Sequence, residues 1–367
     1  MRWAKTAFLS IPFMLMMFSL SILNAYLSLS VAAQEDDDSE SEKDSNLNLC
    51  NFDHIKKFNT NGTLITSWGK KGTGNGEFLH PHNIAVDSRG NIYVTDEERL
   101  DVQKLDKNGN FITKWGSEGS GKGQFAKRIE DINVDSSGNV YVVDVGNNRI
   151  QKFDSNGNFI TMWGSKGSGP GQFDRPWGVA FDSSGNVYVT DQRNNRIQKF
   201  DSNGKYITAW GEEGDGPGQF VHLHAIAIDD DTIYVSDARE HGRVSKFDTN
   251  GNFISMWGSL GEGDGQFTEH HGIGFDSSHH VYVVDTGNVR VQIFSPDGKF
   301  LGKWGSMGAA NDQFIMPQDI AIDSEDNLYI SDVGDAHPEI SYIGKFLEEN
   351  KDLTQASCDG AEKQDIE

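Results

Sequence analysis

The chain has 367 residues, of which 41 are glycine and 11% are aromatic, and its formal net charge is -23. This composition favours many short strands joined by tight turns over packed layers of helices. The acidic surface disfavours the phosphate backbone of nucleic acids as a partner, and two cysteines are too few for a cysteine-rich zinc module. We therefore expect an all-β protein that does not bind nucleic acid.

The first 33 residues differ from the rest of the chain. Arg2 and Lys5 precede an apolar stretch over residues 6–29, and residues 31–33 are small. This pattern is typical of a cleaved signal peptide, and the length of the apolar stretch leaves a signal anchor as the alternative. We expect the protein to be extracellular or at the cell surface, with membrane contact only through residues 1–33.

Residues 34–50 contain the run EDDDSESEKD, which has seven acidic residues and one lysine. A segment with so much charge buries too little apolar surface to fold by itself. We predict a disordered acidic spacer here.

The two cysteines, Cys50 and Cys358, stand on either side of the region that we expect to fold. Outside the cell they are able to pair and join the two ends of that region, and two free thiols are the alternative. Closing a loop of this length would stabilise the fold by about 5 kcal/mol in the chain-entropy model. We predict a Cys50–Cys358 disulfide.

A Trp-Gly pair recurs six times at a spacing of 47 or 48 residues. Between two pairs, residues 167–211 divide into four apolar runs, GVAF, VYVT, RIQKF and YITAW, separated by DSSGN, DQRNN and DSNGK. Short runs rich in β-branched and aromatic residues and bounded by such turns predict antiparallel strands. Four strands per period form one blade, and six blades predict a closed six-bladed β-propeller.

The repeats resemble NHL repeats. The segments that carry the resemblance are GxGxGQF at 119–125, 167–173 and 214–220, G-N-V-Y-V-[TV]-D at 138–144 and 185–191, and N-R-I-Q-K-F-D at 148–154 and 195–201. The resemblance extends over residues 54–346. It implies a propeller domain over residues 51–346, followed by a C-terminal tail over residues 347–367.

The two ends of the repeat region are offset and predict how the ring closes. Residues 54–68 supply only the last two strands of a repeat, whereas residues 318–346 supply only the first three. We expect residues 64–68 to form the outer strand of the closing blade. Residues 55–58 and 342–346 are alternative third strands for that blade, and we expect the closed ring to be a monomer.

An aspartate ends the second apolar run of every repeat. These aspartates are Asp96, Asp144, Asp191, Asp237, Asp285 and Asp332. Four repeats also carry an arginine a few residues later, at Arg149, Arg196, Arg243 and Arg290. A carboxylate that bonds to arginine or to the backbone of the turn explains both recurrences, so we interpret this ring of acids as structural.

One position at the entrance of the first strand differs from blade to blade. In blade order it holds His82, Glu130, Trp177, His224, His271 and Gln318. First strands line the central channel of a propeller, so these side chains should meet at one mouth of the channel. Neutral imidazole is a common ligand of zinc and copper, and three histidines with an open position are typical of catalytic zinc.

We therefore expect His82, His224 and His271 to bind a divalent metal ion. Glu130 would be a fourth ligand, a partner of a ligand, or a base. Zinc or copper is expected, with calcium as a further alternative. The competing interpretation is that the histidines cap strands or form hydrogen bonds around a water-filled channel.

The segment HPHNIA around His82 resembles the P-H-x-[IL]-A segments of peptidylglycine alpha-amidating lyases. That resemblance implies zinc held by histidines at strand entrances of a six-bladed ring. The segments HLHAIA and HHGIGF, around His224 and His271, match less closely. No residue is assigned to that family's catalytic tyrosine or arginine, so the resemblance supports a metal site more than a lyase.

Three functions follow from these observations. The first is an extracellular binding platform that recognises a protein, peptide or small ligand at one face of the ring, with a metal at the channel mouth. The second is a metal-dependent enzyme that resembles the amidating lyases, with zinc as Lewis acid and Glu130 or a tyrosine as base. The third is a structural surface protein without a site.

Overall fold

The computed structural model describes residues 54–308 and 310–334. Within them, six antiparallel sheets of four strands each form the blades of a β-propeller. The prediction of an all-β, six-bladed fold is confirmed. The predictions that lie outside the described residues are the leader 1–33, the spacer 34–50, the tail 347–367, the strand 342–346 and the disulfide Cys50–Cys358.

Each blade consists of four short strands that run side by side from the channel to the periphery. In chain order the strands are β1 (His54–Phe58), β2 (Leu64–Trp68), β3 (Pro81–Val86), β4 (Ile92–Asp96), β5 (Asp101–Leu105), β6 (Phe111–Trp115), β7 (Ile129–Val134), β8 (Val140–Asp144), β9 (Arg149–Phe153), β10 (Phe159–Trp163), β11 (Pro176–Phe181), β12 (Val187–Asp191), β13 (Arg196–Phe200), β14 (Tyr206–Trp210), β15 (Leu223–Asp229), β16 (Thr232–Asp237), β17 (Arg243–Asp248), β18 (Phe253–Gly258), β19 (Ile273–Phe275), β20 (Val281–Asp285), β21 (Arg290–Phe294), β22 (Phe300–Trp304), β23 (Pro317–Ile322) and β24 (Leu328–Asp332).

Blades 1 to 5 are the consecutive groups β3–β6, β7–β10, β11–β14, β15–β18 and β19–β22, and blade 6 joins β23 and β24 to β1 and β2. Three 3₁₀ turns connect second and third strands, at Val145–Asn147, Gln192–Asn194 and Thr286–Asn288.

The burial of the strands follows their place in the blade. The second strand β8 is buried at every position because other blades cover both of its faces. The outer strand β10 instead alternates between half-buried and exposed positions, as expected for a strand with one solvated face. The same contrast holds in other blades, for example between β20 and β22.

Neighbouring blades are held together by aromatic side chains. Trp163 of blade 2 packs on Phe200 of blade 3 with ring centroids 5.9 Å apart, and Phe173, from the GQF segment, lies 5.7 Å from the same ring. These residues belong to one apolar cluster between the two blades. The tryptophans and phenylalanines of the repeat are therefore packing residues between blades.

Blade 6 closes the ring by pairing the two ends of the described chain. Strand β1 pairs with β24 in antiparallel register, with Ile55 opposite Ser331, and β2 forms the outer edge. The expected outer strand is confirmed, and His54–Phe58 takes the third position. Lys56 Nζ lies 2.8 Å from Asp332 Oδ2, so this closing strand also carries a buried ion pair.

The repeated aspartates hold the turns after the second strands. In blade 3, Asp191 accepts from Arg196 Nε at 2.9 Å and from the backbone N–H of Asp174 at 2.8 Å. The same arginine pairing occurs in blades 2, 4 and 5. We call these contacts, together with Lys56–Asp332, the clasps. The structural interpretation of the repeated aspartates is confirmed.

The six first strands pack on one another around the central channel, each against the first strand of the next blade. They enclose a cavity of about 460 Å³. Among residues 54–308 and 310–334, no helix is long and apolar enough to span a bilayer.

Candidate functional site

The structure brings the six variable entrance positions together at one mouth of the channel. We call them the mouth ring: His82, Glu130, Trp177, His224, His271 and Gln318. Five of them are the second residue of a first strand, and His271 lies just before β19. All are buried or nearly so, with side-chain exposure of 1% at His224 and 10% at His271.

A break in strand pairing aims these side chains at the channel. The regular register of β3 with β4 is interrupted between Pro81 and Ile84, which frees His82 from the ladder. The backbone N–H of Asn83 inside this break donates to Thr95 Oγ1 at 3.0 Å. Blades 2, 3, 4 and 6 have the same interruption, so an irregularity of the repeat creates the ring.

His224 is the least satisfied polar side chain of the ring. Its ring stacks on Trp177 at a centroid distance of 4.3 Å and meets His271 edge to face at 4.8 Å. Among the described residues, neither ring nitrogen has a hydrogen-bond partner. Burial holds the pKa of His224 well below its usual value, so the imidazole is neutral.

His271 connects His224 to an acidic side chain. Its Nδ1 donates to Gln318 Oε1 at 2.7 Å, and its Nε2 lies 3.5 Å from Glu269 Oε1. Burial opposes protonation of His271, but the contact with Glu269 outweighs burial and raises its pKa. Glu269 in turn accepts from Arg239 Nε at 3.0 Å, and despite its burial the contacts with His271 and Arg239 lower its pKa to about 2.

His224, Glu269 and His271 form a compact group of three potential metal ligands. Each offers one ligand atom, and these three atoms lie within 4.8 Å of one another. The sequence reasoning did not identify Glu269, which stands two residues before the ring position of blade 5. The signal was present, because that position holds His80, Arg128, Arg175 and His222 in blades 1 to 4 and so varies as the ring itself does.

His82 belongs to a second group, with His80 and Glu97. Its Nδ1 lies 2.5 Å from Asn83 Oδ1 and 3.2 Å from Glu130 Oε2, and its ring centroid is 6.2 Å from that of His271. The structure therefore divides the four predicted ligands: His224 and His271 share Glu269, whereas His82 lies beside Glu130.

Glu130 is fully buried and already has a cationic partner. Arg128 Nε donates to its Oε1. Burial raises the pKa of Glu130, but the charges of His82 and Arg128 outweigh burial and hold it below its usual value. A carboxylate that stays ionised in this way is a weak proton acceptor, which disfavours the predicted role as base.

The histidine next to His271 has a different environment. His270 Nε2 donates to the carbonyl of Arg243 at 3.0 Å, and its ring packs on Phe267 at 4.7 Å. Gly272, after this pair, is required by packing, because a Cβ atom there would lie 2.5 Å from Asp319 Oδ1. Of the two adjacent histidines, only His271 reaches the channel mouth.

Three arginines surround the ring on its outer side. The guanidinium groups of Arg128 and Arg175 lie 4.7 Å and 5.1 Å from the Trp177 ring, and Arg239 contacts Glu269. All three have left-handed backbone conformations, with φ of 79°, 61° and 52°. Non-glycine residues rarely adopt this conformation, and such residues cluster at functional sites.

A third group of candidate ligands lies on the surface. Asp229, Asp230 and His279 also place ligand atoms within 4.8 Å of one another, but Asp230 and His279 are exposed. Exposed acids of this kind are ordinary surface features, so the mouth ring is the stronger candidate.

The family comparisons agree with the architecture. A model for the NHL repeat matches residues 173–200, and a model for a 6-bladed beta-propeller matches residues 88–160. A search of curated proteins finds no significant match.

Among solved structures, similar folds include two lyases. One is a catalytically inactive variant of virginiamycin B lyase from Staphylococcus aureus with quinupristin, with 15% identity, a TM-score of 0.51, and coverage of 76% of this chain and 81% of that chain. Another is a streptogramin B lyase, with 13% identity, a TM-score of 0.53, and coverage of 76% and 94%.

A protein of unknown function from Bacteroides thetaiotaomicron has 18% identity and a TM-score of 0.56, with coverage of 76% of this chain and 74% of that chain. At these identities the similarity establishes the fold and leaves function to the residues of the site. With blades, repeat motifs and family models in agreement, the chain folds as a six-bladed β-propeller that contains an NHL repeat at residues 173–200.

Proposed function

We propose that this propeller is an extracellular binding platform that holds a divalent metal ion at its channel mouth. His224, His271 and Glu269 are the ligands, and the ion presents an open coordination position to a protein, peptide or small ligand. The observation that carries the proposal is His224, a buried imidazole with no hydrogen-bond partner for either ring nitrogen among the described residues.

The energetic argument is that a polar group without a partner is expensive to bury. An unsatisfied buried donor or acceptor costs about 1–3 kcal/mol. A metal ion would remove this penalty, and the lowered pKa of His224 keeps its ring in the neutral form that metals require. Two donors on one zinc ion lie at most about 4 Å apart, so binding would draw the three ligand atoms slightly together.

The donor set favours some metals over others. Two imidazoles and one carboxylate suit zinc or copper better than calcium, which prefers oxygen ligands. Three protein ligands also leave a fourth position for water or for a ligand, as in catalytic rather than structural zinc sites. His82 and Glu130 lie beside this group and would contact a molecule bound at the open position.

Metal analysis of protein purified without a histidine tag tests the proposal. Near-stoichiometric zinc or copper is expected in the wild type, with loss of the ion in H224A and H271A and retention of the fold. H279A, in the exposed group, is the matched control and should keep the metal. A metal-free wild type would favour the interpretation that the histidines of the mouth ring are structural. Loss of metal only in H279A would place the metal site in the exposed group.

A second candidate function is a metal-dependent lyase, favoured by the position of His82. Burial lowers the pKa of this histidine despite the nearby Glu130, so its ring is neutral beside the proposed ion. A metal that polarises the substrate and a neutral imidazole that accepts a proton are the two parts that an elimination requires. Turnover of quinupristin or of an alpha-hydroxyglycine peptide, lost in H82A, would favour the lyase; a metal-loaded protein inert on both favours the platform.

The extracellular location in this proposal rests on residues 1–33. N-terminal sequencing of the mature protein should find a chain that begins after residue 33, whereas a signal anchor would leave the leader in place and the protein in the membrane fraction. Cys50 and Cys358 should then be disulfide-bonded, which mass spectrometry before and after reduction measures. A single species of monomer mass is expected in solution.

A further inference from the structure

The channel cavity reaches His271, one of the three proposed metal ligands, from inside the ring. Its lining includes His271 and Trp177 at one end and Asp135 and Asp182, in the turns after the first strands, at the other. A six-residue strand spans about 20 Å, so the cavity joins the mouth ring to the opposite face. The proposed site can therefore be approached at His271 from the channel as well as from the outer mouth.

The channel side carries carboxyl groups and no basic side chain. Among the described residues, the cavity lining contains no lysine or arginine. Asp135 and Asp182 lie 3.6 Å and 3.5 Å from Lys152 and Lys199, whose ammonium groups offset their charges. Two other aspartates of the lining, at the level just inside the mouth ring, have no such ammonium partner in the described part of the chain.

These two aspartates are Asp131 and Asp319. Each reaches across to the next blade, where Asp131 Oδ2 accepts from the backbone N–H of Val179 at 2.7 Å and Asp319 Oδ2 from that of Ile84 at 3.0 Å. Burial, and at Asp131 also the charge of Asp319, raises the pKa of both carboxyls. A cation that entered the channel would lower these pKa values and favour the ionised carboxylates, which would in turn hold the cation.

The outer side of the mouth has the opposite character. Arg128, Arg175 and Arg239 lie against Glu130, Trp177 and Glu269, between the ring and the outer face. Glu130 and Glu269 partly offset the charges of Arg128 and Arg239, but the three guanidinium groups and the near-complete burial of the ring leave little room for a cation to enter from this side.

We infer that the metal ion reaches His224 and His271 through the central channel, past Asp131 and Asp319, and not through the arginine-covered mouth. The inference rests on the proposed function, since it describes how that site is filled. The outer mouth then remains open to the protein, peptide or small molecule that binds the metal ion. The acidic surface of the whole protein, with a net charge of -23, raises the local concentration of cations at the channel entrance.

The test is the rate at which metal-free protein takes up Co²⁺, followed by the absorption of the bound ion in a stopped-flow instrument. D131N and D319N keep an oxygen that accepts the backbone bond, and each should slow association by about tenfold, because oriented charges change association rates by about 10 to 1,000-fold. E118Q makes the same charge change at an exposed position. It should associate at the wild-type rate.

The outer route gives opposite expectations. Entry past the arginines predicts faster uptake in R175Q, whereas entry through the channel predicts no change.

The outcomes separate the two proposals. If the protein takes up a stoichiometric amount of metal at a rate that D131N and D319N leave unchanged, or that R175Q increases, the channel route is wrong and the metal site stands. A wild type that takes up no metal overturns the proposed function itself. Thermal unfolding of each variant shows whether a change in rate reflects entry or a damaged fold.

Discussion

The repeated aspartates and the mouth ring occupy matching places in every blade, yet they differ in almost every property. One aspartate recurs in all six blades, and in blades 2 to 6 it forms a clasp with a cation. The mouth ring repeats only its position, and His224 there has no hydrogen-bond partner within the described residues. In a repeat protein, what recurs maintains the fold, and what departs from the repeat indicates the site.

The adjacent residues His270 and His271 show the same contrast between a structural residue and a residue of the mouth ring. His270 has a backbone acceptor for Nε2 and an aromatic neighbour, so packing and one hydrogen bond of the fold hold it in place. His271 faces the channel with Glu269 and Gln318, which no packing requirement explains. Stability measurements should therefore separate the two regions, with large effects at the clasps and small effects at the ring.

The largest effect is expected when the clasp of blade 6 is broken. K56M leaves Asp332, which is fully buried, without its cation, and removing one partner of a buried ion pair costs about 3–5 kcal/mol. Denaturant unfolding measures the change. The matched control is K57M, whose ammonium lies 3.9 Å from Asp323 and should cost about 1 kcal/mol or less. Equal effects at the two neighbouring lysines would contradict the role assigned to the clasp.

A smaller effect is expected from acid at His270. Burial lowers the pKa of His270 to about 4 in the folded protein. Below about pH 6.5 the histidine binds a proton in the unfolded chain but not in the folded protein. Its contribution to the free energy of unfolding is therefore complete above pH 6.5 and is lost as the pH falls towards 4. The loss over that interval is about 3 kcal/mol.

The variant H270Q removes this titration. Its stability relative to wild type should rise by about 3 kcal/mol between pH 7 and pH 4, measured by denaturant unfolding at each pH. H280Q, on a turn at the surface, is the control. A wild-type pH profile in H270Q would show that the buried histidine does not remain neutral.

The smallest effect is expected inside the mouth ring. E130Q removes a buried negative charge, but Arg128 is partly exposed and lies 4.0 Å from Glu97, which offers a second counter-ion. We expect a loss of about 1–2 kcal/mol. The pKa of His82 should fall further without Glu130, which proton NMR titration measures. A loss as large as that of K56M would place Glu130 with the clasps rather than with the site.

The sequence was sufficient for the fold because the signal repeats. Six copies of one strand pattern identified the blades, and the offset ends identified Leu64–Trp68 as the outer strand of the last blade. The third strand of that blade could not be chosen, because residues 55–58 and 342–346 carry equivalent patterns. Only the pairing of β1 with β24 showed that the first of these takes the place.

The mouth ring was predicted in position, but the contacts among its side chains were not. Departure from the repeat located His82, Glu130, His224 and His271 at one mouth. Which atoms meet depends on side-chain directions set by the pairing breaks and by stacking on Trp177, and no one-dimensional pattern encodes these directions. The variable entrance position therefore does not reveal Glu269, which lies two residues before that position in blade 5.

X-ray absorption spectroscopy of the zinc-loaded protein tests the central claim most directly. The account predicts a first shell of nitrogen and oxygen atoms at about 2.0–2.1 Å with the multiple scattering of two imidazoles, reduced to one imidazole or lost in H224A. A shell made only of oxygen atoms, or a spectrum that H224A leaves unchanged, would contradict a metal site at the channel mouth.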